Sequence, residues 1–244
     1  MLSPIQITVM CTKLLYVLHP TMSCIPLVKY RYGLLTCYHF FLGPTGLTGQ
    51  KGDTGPAGLP GPTAGGVVYT RWGRTTCPTT SGTQLVYAGR AAGSYWSHTG
   101  GGADYLCLPD NPNYLRYADG AQGDRAYLYG VEYETYRNAP LSGVLNHNVP
   151  CAVCYASTRG TVMMIPGKTV CPSSWIREYY GYLMAERFNH QRSTFECIDH
   201  SPQSIPGSVS DTNGALFYHV EARCAGICPP YTNGRELTCT MCTK

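Results

Sequence analysis

Thirteen cysteines give this 244-residue chain its widest choice of chemistry. Three of them, Cys11, Cys24 and Cys37, lie in the first forty residues, and ten follow residue 63: Cys77, Cys107, Cys151, Cys154, Cys171, Cys197, Cys224, Cys228, Cys239 and Cys242. Two Cys-x-x-Cys motifs stand out, Cys151-Ala-Val-Cys154 and Cys239-Thr-Met-Cys242. Such pairs can ligate zinc, run a dithiol–disulfide couple or belong to a structural disulfide framework. Zinc needs the two pairs to converge, and 85 residues separate them. A thioredoxin-like couple needs a βαβ setting, which the chain lacks. Ten is an even number, as a disulfide framework in an oxidising compartment requires. The sequence therefore favours disulfides, with no metal and no cofactor expected.

Other reactive residues form no recognisable machinery. His98, His147, His190, His200 and His219 have no metal-binding spacing. There is no nucleophile elbow and no phosphate loop, and Gly89-Arg-Ala-Ala-Gly93 is too short a glycine signal to stand for one. We expect no enzyme. Charged residues make up 13% of the chain and the net charge is +4, with Lys and Arg scattered, so no nucleic-acid footprint is present. No Asn-x-Ser/Thr acceptor occurs.

The elements that carry the cysteines repeat. Gly73-Arg-Thr-Thr-Cys77-Pro78 matches Gly167-Lys-Thr-Val-Cys171-Pro172, and Leu85-Val-Tyr87-Ala-Gly-Arg-Ala91 is set against Tyr179-Tyr-Gly-Tyr-Leu-Met-Ala185. One cysteine follows in each copy, Cys107 or Cys197, then an aromatic segment ending in Val-Glu, Tyr129–Glu132 or Tyr218–Glu221. Cysteine spacings run 30, 44, 3 in the first copy and 26, 42, 3 in the second, so the region reads as unit 1 (64–157) followed by unit 2 (158–244). Branched and aromatic runs predict strands at Val67–Trp72, Leu85–Tyr87, Tyr127–Tyr129, Val162–Ile165 and Leu216–Val220. Glu178–His190 is the best helix candidate, although its aromatics weigh against helix. The expected class is all-β.

Ahead of this region, residues 43–63 place glycine at every third position: Gly43, Gly46, Gly49, Gly52, Gly55, Gly58 and Gly61. Pro44, Pro56, Pro60 and Pro62 fall between them. Three polyproline-type strands can wind together only if every third residue is glycine, because nothing larger fits on the shared axis. The tract thus predicts a short collagen triple helix of roughly 65 Å, and a trimer. A flexible Gly/Pro linker is the plain alternative. Lys51-Gly52-Asp53 reads as an ion-paired triplet between staggered chains. Residues 1–42 are apolar but interrupted by Lys13, Lys29 and Arg31, and the longest uncharged stretch, Leu14–Val28, is too short to span a bilayer. They read as a leader or a misassigned start, with a membrane anchor as the alternative.

The run Cys151-Ala-Val-Cys154, Ile165-Pro166, Cys171-Pro-Ser-Ser-Trp175, Tyr180-Gly-Tyr182 resembles the centre of the C-terminal non-collagenous domain of basement-membrane (type IV) collagens. Residues 43–244 as a whole are most similar to the short-chain, spongin-type collagens, in which a brief Gly-x-y tract precedes a shortened form of that domain. The resemblance implies nested disulfides: Cys77–Cys154 and Cys107–Cys151 in unit 1, Cys171–Cys242 and Cys197–Cys239 in unit 2. It departs from the family at the small-loop bridge, which unit 1 lacks and which in unit 2 would be Cys224–Cys228, after the aromatic segment rather than before it. The implied function is structural: a secreted extracellular-matrix protein whose C-terminal domain drives assembly with its own kind, as homo- or heterotrimer, and whose other partners are matrix components. A secreted collagenous recognition protein, lectin-like and multivalent, is the alternative reading.

Overall fold

Ten short strands account for the regular structure in the computed structural model, which describes residues 46–53, 55, 65–79 and 82–244. Residues 1–42, and with them Cys11, Cys24 and Cys37, lie outside the described residues, as do Gly43, Gly58 and Gly61 of the tract. The chain separates into two units, Met1–Ala57 and Gly58–Lys244. In the first, Gly46–Asp53 and Gly55 are exposed and belong to neither helix nor strand.

The second unit is all-β and disulfide-rich. Its strands are β1 (Val67–Trp72), β2 (Thr83–Gly93), β3 (Leu106–Pro109), β4 (Tyr129–Tyr133), β5 (Pro150–Ala156), β6 (Val162–Pro166), β7 (Ile176–Ala185), β8 (Glu196–Asp199), β9 (Ala215–His219) and β10 (Thr238–Thr243). Among the described residues there is no α-helix, only a single 3₁₀ turn at Ser142–Val144, and no helix is long and apolar enough to cross a membrane. The best helix candidate, Glu178–His190, instead supplies most of β7. Tyr179, Tyr180 and Tyr182 favour a pleated surface, and there they cost a helix side-chain freedom.

Strands β1–β5 and β6–β10 make the same antiparallel pairings. In the first set β5 lies between β1 and β2, and β2 also pairs with β3 and β4. In the second, β10 lies between β6 and β7, and β7 also pairs with β8 and β9. Register fixes which residues correspond. Gly89 faces Cys151 and Gly181 faces Cys239, so these glycines are equivalent, as are Tyr87 and Tyr179. Both tyrosine hydroxyls donate to equivalent carbonyls, of Cys107 and Cys197, each at 3.0 Å. The alignment of Leu85 with Tyr179 is therefore wrong by two residues. Its cause is a connection from the first cysteine to the strand that is two residues shorter in the second set. Each set also carries a bulge at the equivalent place, Val86 in β2 and Glu178 in β7.

Two parallel contacts join the sets. Trp72 of β1 pairs with Ile198 of β8, and Val131–Tyr133 of β4 run beside Ala215–Phe217 of β9. One buried cluster gathers Trp72, Tyr133, Met184 and Phe217, and the other gathers Tyr69, Tyr179 and Leu183 around Cys154, Cys197 and Cys239. Both clusters draw on both sets, so neither set holds a complete core of its own.

Candidate functional site

The Cys-x-x-Cys spacing has a direct geometric consequence on a strand. Residues three apart point to opposite faces, so each motif can send one bridge to either side of its strand. From β5, Cys154 is bonded to Cys77 and Cys151 to Cys107. From β10, Cys242 is bonded to Cys171 and Cys239 to Cys197. A fifth bridge, Cys224–Cys228, closes a local loop. All four sulfurs of the two motifs are thus in disulfides, which leaves no thiolate there for zinc or thiol exchange. Five bridges fit the chemistry of secreted chains.

The inner bridge of each set crosses over a strand. Cys107 lies on β3 and Cys151 on β5, with β2 between them, yet their Cα atoms are 5.8 Å apart. Cys197 and Cys239 span β7 with a Cα separation of 5.6 Å. Strands two places apart in a flat sheet stand roughly 10 Å from one another. The sheet must therefore fold sharply at the strand beneath the bridge, and glycine permits it. A Cβ on Gly89 would stand 1.8 Å from the Leu108 carbonyl oxygen, and one on Gly181 1.7 Å from that of Ile198.

The junction between the two sets is polar and specific. Arg71 on β1 donates through Nε (2.9 Å) and Nη2 (2.6 Å) to Asp199 Oδ2 on β8, in a largely buried ion pair. The Trp72 indole N–H donates to Glu196 at 2.8 Å, and Tyr179 donates its hydroxyl to the Thr70 carbonyl at 3.1 Å. Glu178, the bulged residue of β7, accepts from Tyr69 at 2.9 Å, Thr83 at 3.3 Å and Thr243 at 2.7 Å. One buried carboxylate thus ties β1, β2, β7 and β10. No sequence pattern announces it. Bulges re-aim side chains, and only the observed register shows one here. Burial pushes the Tyr69 and Tyr179 phenols far above their usual range, so both hydroxyls remain donors at any physiological pH.

Register also shows where the equivalent junction would lie. Tyr69, Arg71 and Trp72 of β1 correspond to Met163, Ile165 and Pro166 of β6, and Glu196, Ile198 and Asp199 of β8 to Leu106, Leu108 and Pro109 of β3. The Arg71–Asp199, Trp72–Glu196 and Tyr69–Glu178 pairs of the internal junction have the apolar counterparts Ile165–Pro109, Pro166–Leu106 and Met163–Val86. Among the described residues β6 pairs only with β10 and β3 only with β2, so both outer edges are free. Ile198 is fully buried, while Leu108 is 37% exposed, Leu106 45%, Met163 38% and Val86, the counterpart of Glu178, 57%.

Near β4, Glu132, Glu134 and Asp211 bring their carboxylates within 4.8 Å of one another. Glu132 is fully buried and accepts the backbone N–H groups of Thr212 and Asn213, each at 2.9 Å, and the Thr212 hydroxyl, so it anchors the loop before β9. Burial, then the charges of Asp211, Glu132 and Glu186, pushes Glu134 up to about 7. An acid whose folded pKa is raised adds stability below its unfolded pKa, near 4.5, and loses it as pH rises through 7. We therefore expect the melting temperature of Glu134→Gln to exceed that of the parent at pH 8, with the gap closing by pH 4. Thermal unfolding at both pH values measures this.

Among the described residues the histidines do not converge. His190 bonds Glu186 at 2.8 Å, His200 stacks on Tyr180 at 4.2 Å, and His147 contacts the nearby Leu145 carbonyl. His219 is half-buried, and that burial lowers its pKa. Of the tract glycines, Gly46, Gly49, Gly52 and Gly55 share one property. A Cβ on any of them would meet nothing within 4 Å, and none has a positive φ. A comparison with known protein families finds no family that matches this chain.

Proposed function

We propose that this chain is a secreted, short-chain, non-fibrillar collagen of the extracellular matrix, resembling the spongin type, whose tandem β units bring three copies together, set their register and nucleate the triple helix. The observation that carries this reading is the contrast between its glycines. Gly89 and Gly181 are required by their own chain, because a side chain there would strike a backbone carbonyl. At Gly46, Gly49, Gly52 and Gly55 no described atom of their own chain would obstruct a side chain. A strict three-residue period without an internal steric reason calls for a steric reason outside the chain, and the crowded axis of a triple helix supplies it.

The free edges support the same reading. An apolar β6 edge on one copy and an apolar β3 edge on the next are each other's complement, as β1 and β8 are within a chain. A head-to-tail contact of this kind either closes into a ring or runs on as a filament. Three chains in one rod select a ring of three. The two units per chain then alternate around that ring, with polar junctions inside chains and apolar junctions between them. The function is mechanical and organisational.

Sedimentation equilibrium of the full chain under oxidising conditions tests the proposal. The expected mass is three times the 26.6 kDa chain. Val86→Asp should convert the trimer to single chains without changing the circular dichroism of the β unit, because Val86 is an exposed apolar residue at a bulge. Gly52→Ala should abolish the collagen-type dichroism and leave the melting of the β unit unchanged. Single chains only, in the parent protein, would overturn the reading.

A further inference from the structure

We propose that the cleft between the β2–β3 and β7–β8 loops binds one neutral sugar ring, the terminal residue of a glycan. These are equivalent loops of the two five-strand sets, and they face each other across a cavity of about 230 Å³. Sites favour such seams between structural units. The volume is below the roughly 300–1,000 Å³ of drug-sized sites, which suits an occupant the size of a single pyranose.

The walls have the chemistry that a sugar requires. Tyr95, Trp96 and His98 form one aromatic side, with Tyr95 and His98 rings 4.9 Å apart and Trp96 4.6 Å from His190. Rings of this kind pack against the C–H face of a pyranose. Asp104, Gln191 and Arg192 also line the cavity, and their side chains make no hydrogen bond or ion pair with any described residue. A carboxylate accepts two hydroxyl protons, a guanidinium donates to two hydroxyl oxygens and a carboxamide does both. Vicinal hydroxyls present that pattern. One acidic and one basic free group balance in charge, so the cleft suits a neutral ligand better than an anion or a cation. Glu186 also lines it, but its oxygens already accept from His190 and the Leu216 N–H, each at 2.8 Å.

The cleft is pre-organised. The Gln191 N–H donates to the Trp96 carbonyl at 2.9 Å, the Thr194 N–H to the Ala103 carbonyl at 3.0 Å and the Tyr105 hydroxyl to Ser193 Oγ at 3.0 Å. The two loops are thus fixed before a ligand arrives, which lowers the entropy lost on binding. The mouth is open at Gly100 and Gly102, where an added Cβ would meet nothing within 4 Å.

The test is saturation-transfer NMR and calorimetry on the full-length, oxidised chain with a panel of neutral hexoses, hexosamines and their N-acetyl forms, beside sialic acid and a sulfated hexose. The expected result is saturable binding of at least one neutral sugar. Asp104→Asn and Arg192→Gln, both at exposed positions, should each weaken it by roughly tenfold or more, while Asp119→Asn, outside the cleft, leaves it unchanged. No saturable binding with any neutral sugar, binding confined to the charged sugars, or binding that survives both cleft substitutions would overturn the proposal. Sedimentation of the same samples reads assembly separately, so loss of sugar binding by an intact trimer leaves the matrix reading standing.

Discussion

Gly181→Ala is expected to unfold the β unit or cost it more than about 3 kcal/mol, at or beyond the upper end of ordinary overpacking. The reason lies in the strand-crossing bridge. A Cβ at this position would sit 1.7 Å from the Ile198 carbonyl oxygen and 2.7 Å from the His200 nitrogen, and both obstacles are backbone. No rotamer change can clear them. β8 would have to retreat from β7, but the Cys197–Cys239 bridge holds it down directly over the glycine. Relief thus requires giving up either the β7–β8 pairing or the bridge. Urea unfolding would read the loss of stability, and peptide mapping without reductant would read whether Cys197 and Cys239 still pair. Gly89→Ala should behave alike, since its Cβ would meet the Leu108 oxygen at 1.8 Å. A variant with the parent's midpoint and bridges would show that the fold at this strand is not as tight as described.

Removing an outer bridge is the second large effect. Cys171 and Cys242 are 71 residues apart, and the chain-entropy relation gives about 4 kcal/mol for a loop of that size. The double serine variant should lose about that much unfolding free energy. Cys77 and Cys154, 77 residues apart, should give nearly the same value. Cys224–Cys228 closes a separation of only four residues and should contribute about 2 kcal/mol on the same relation. Denaturant midpoints for the three double variants would rank them. Equal losses would argue that local strain, rather than loop closure, governs these bridges. Accessibility separates them as well. Cys224 is exposed, whereas Cys151, Cys154, Cys197 and Cys239 are fully buried, so mild reductant should open the local bridge first.

Composition reached the all-β class because β1, β6 and β9 are built from branched and aromatic residues whose pattern can be read locally. Four of the strands it passed over, β3, β5, β8 and β10, carry half-cystines, while β7 was the best helix candidate. In β5, Pro150-Cys-Ala-Val-Cys-Tyr-Ala156 is buried on nearly every residue, so the alternation that marks a half-exposed strand is missing. Its small residues also carry little β signal. Repeat spacing located the cysteines but misplaced β2 against β7 by two residues, because spacing cannot tell where a loop has shortened. Gly89 and Gly181 were the correct markers, and a glycine reveals its role only once the carbonyl above it is known. Arg71–Asp199 and Tyr69–Glu178 join residues more than a hundred positions apart. Nothing local encodes such pairs. The glycine tract was the opposite case, where period alone carries the signal and four described residues add only that their own chain does not explain them.

Tension applied through the chain upstream of Gly66 enters the β unit at β1. That strand lies against β5 from Val67–Ala156 to Trp72–Cys151, so these rungs are the first that the pull loads. If those rungs fail, the slack ends at Cys77, where the covalent link to Cys154 hands the force to the middle of the sheet. Roughly 40 Å of polypeptide can pay out before that stop. The bridge thus makes the yielding of β1 a short, fixed step that stops before the rest of the sheet is drawn out.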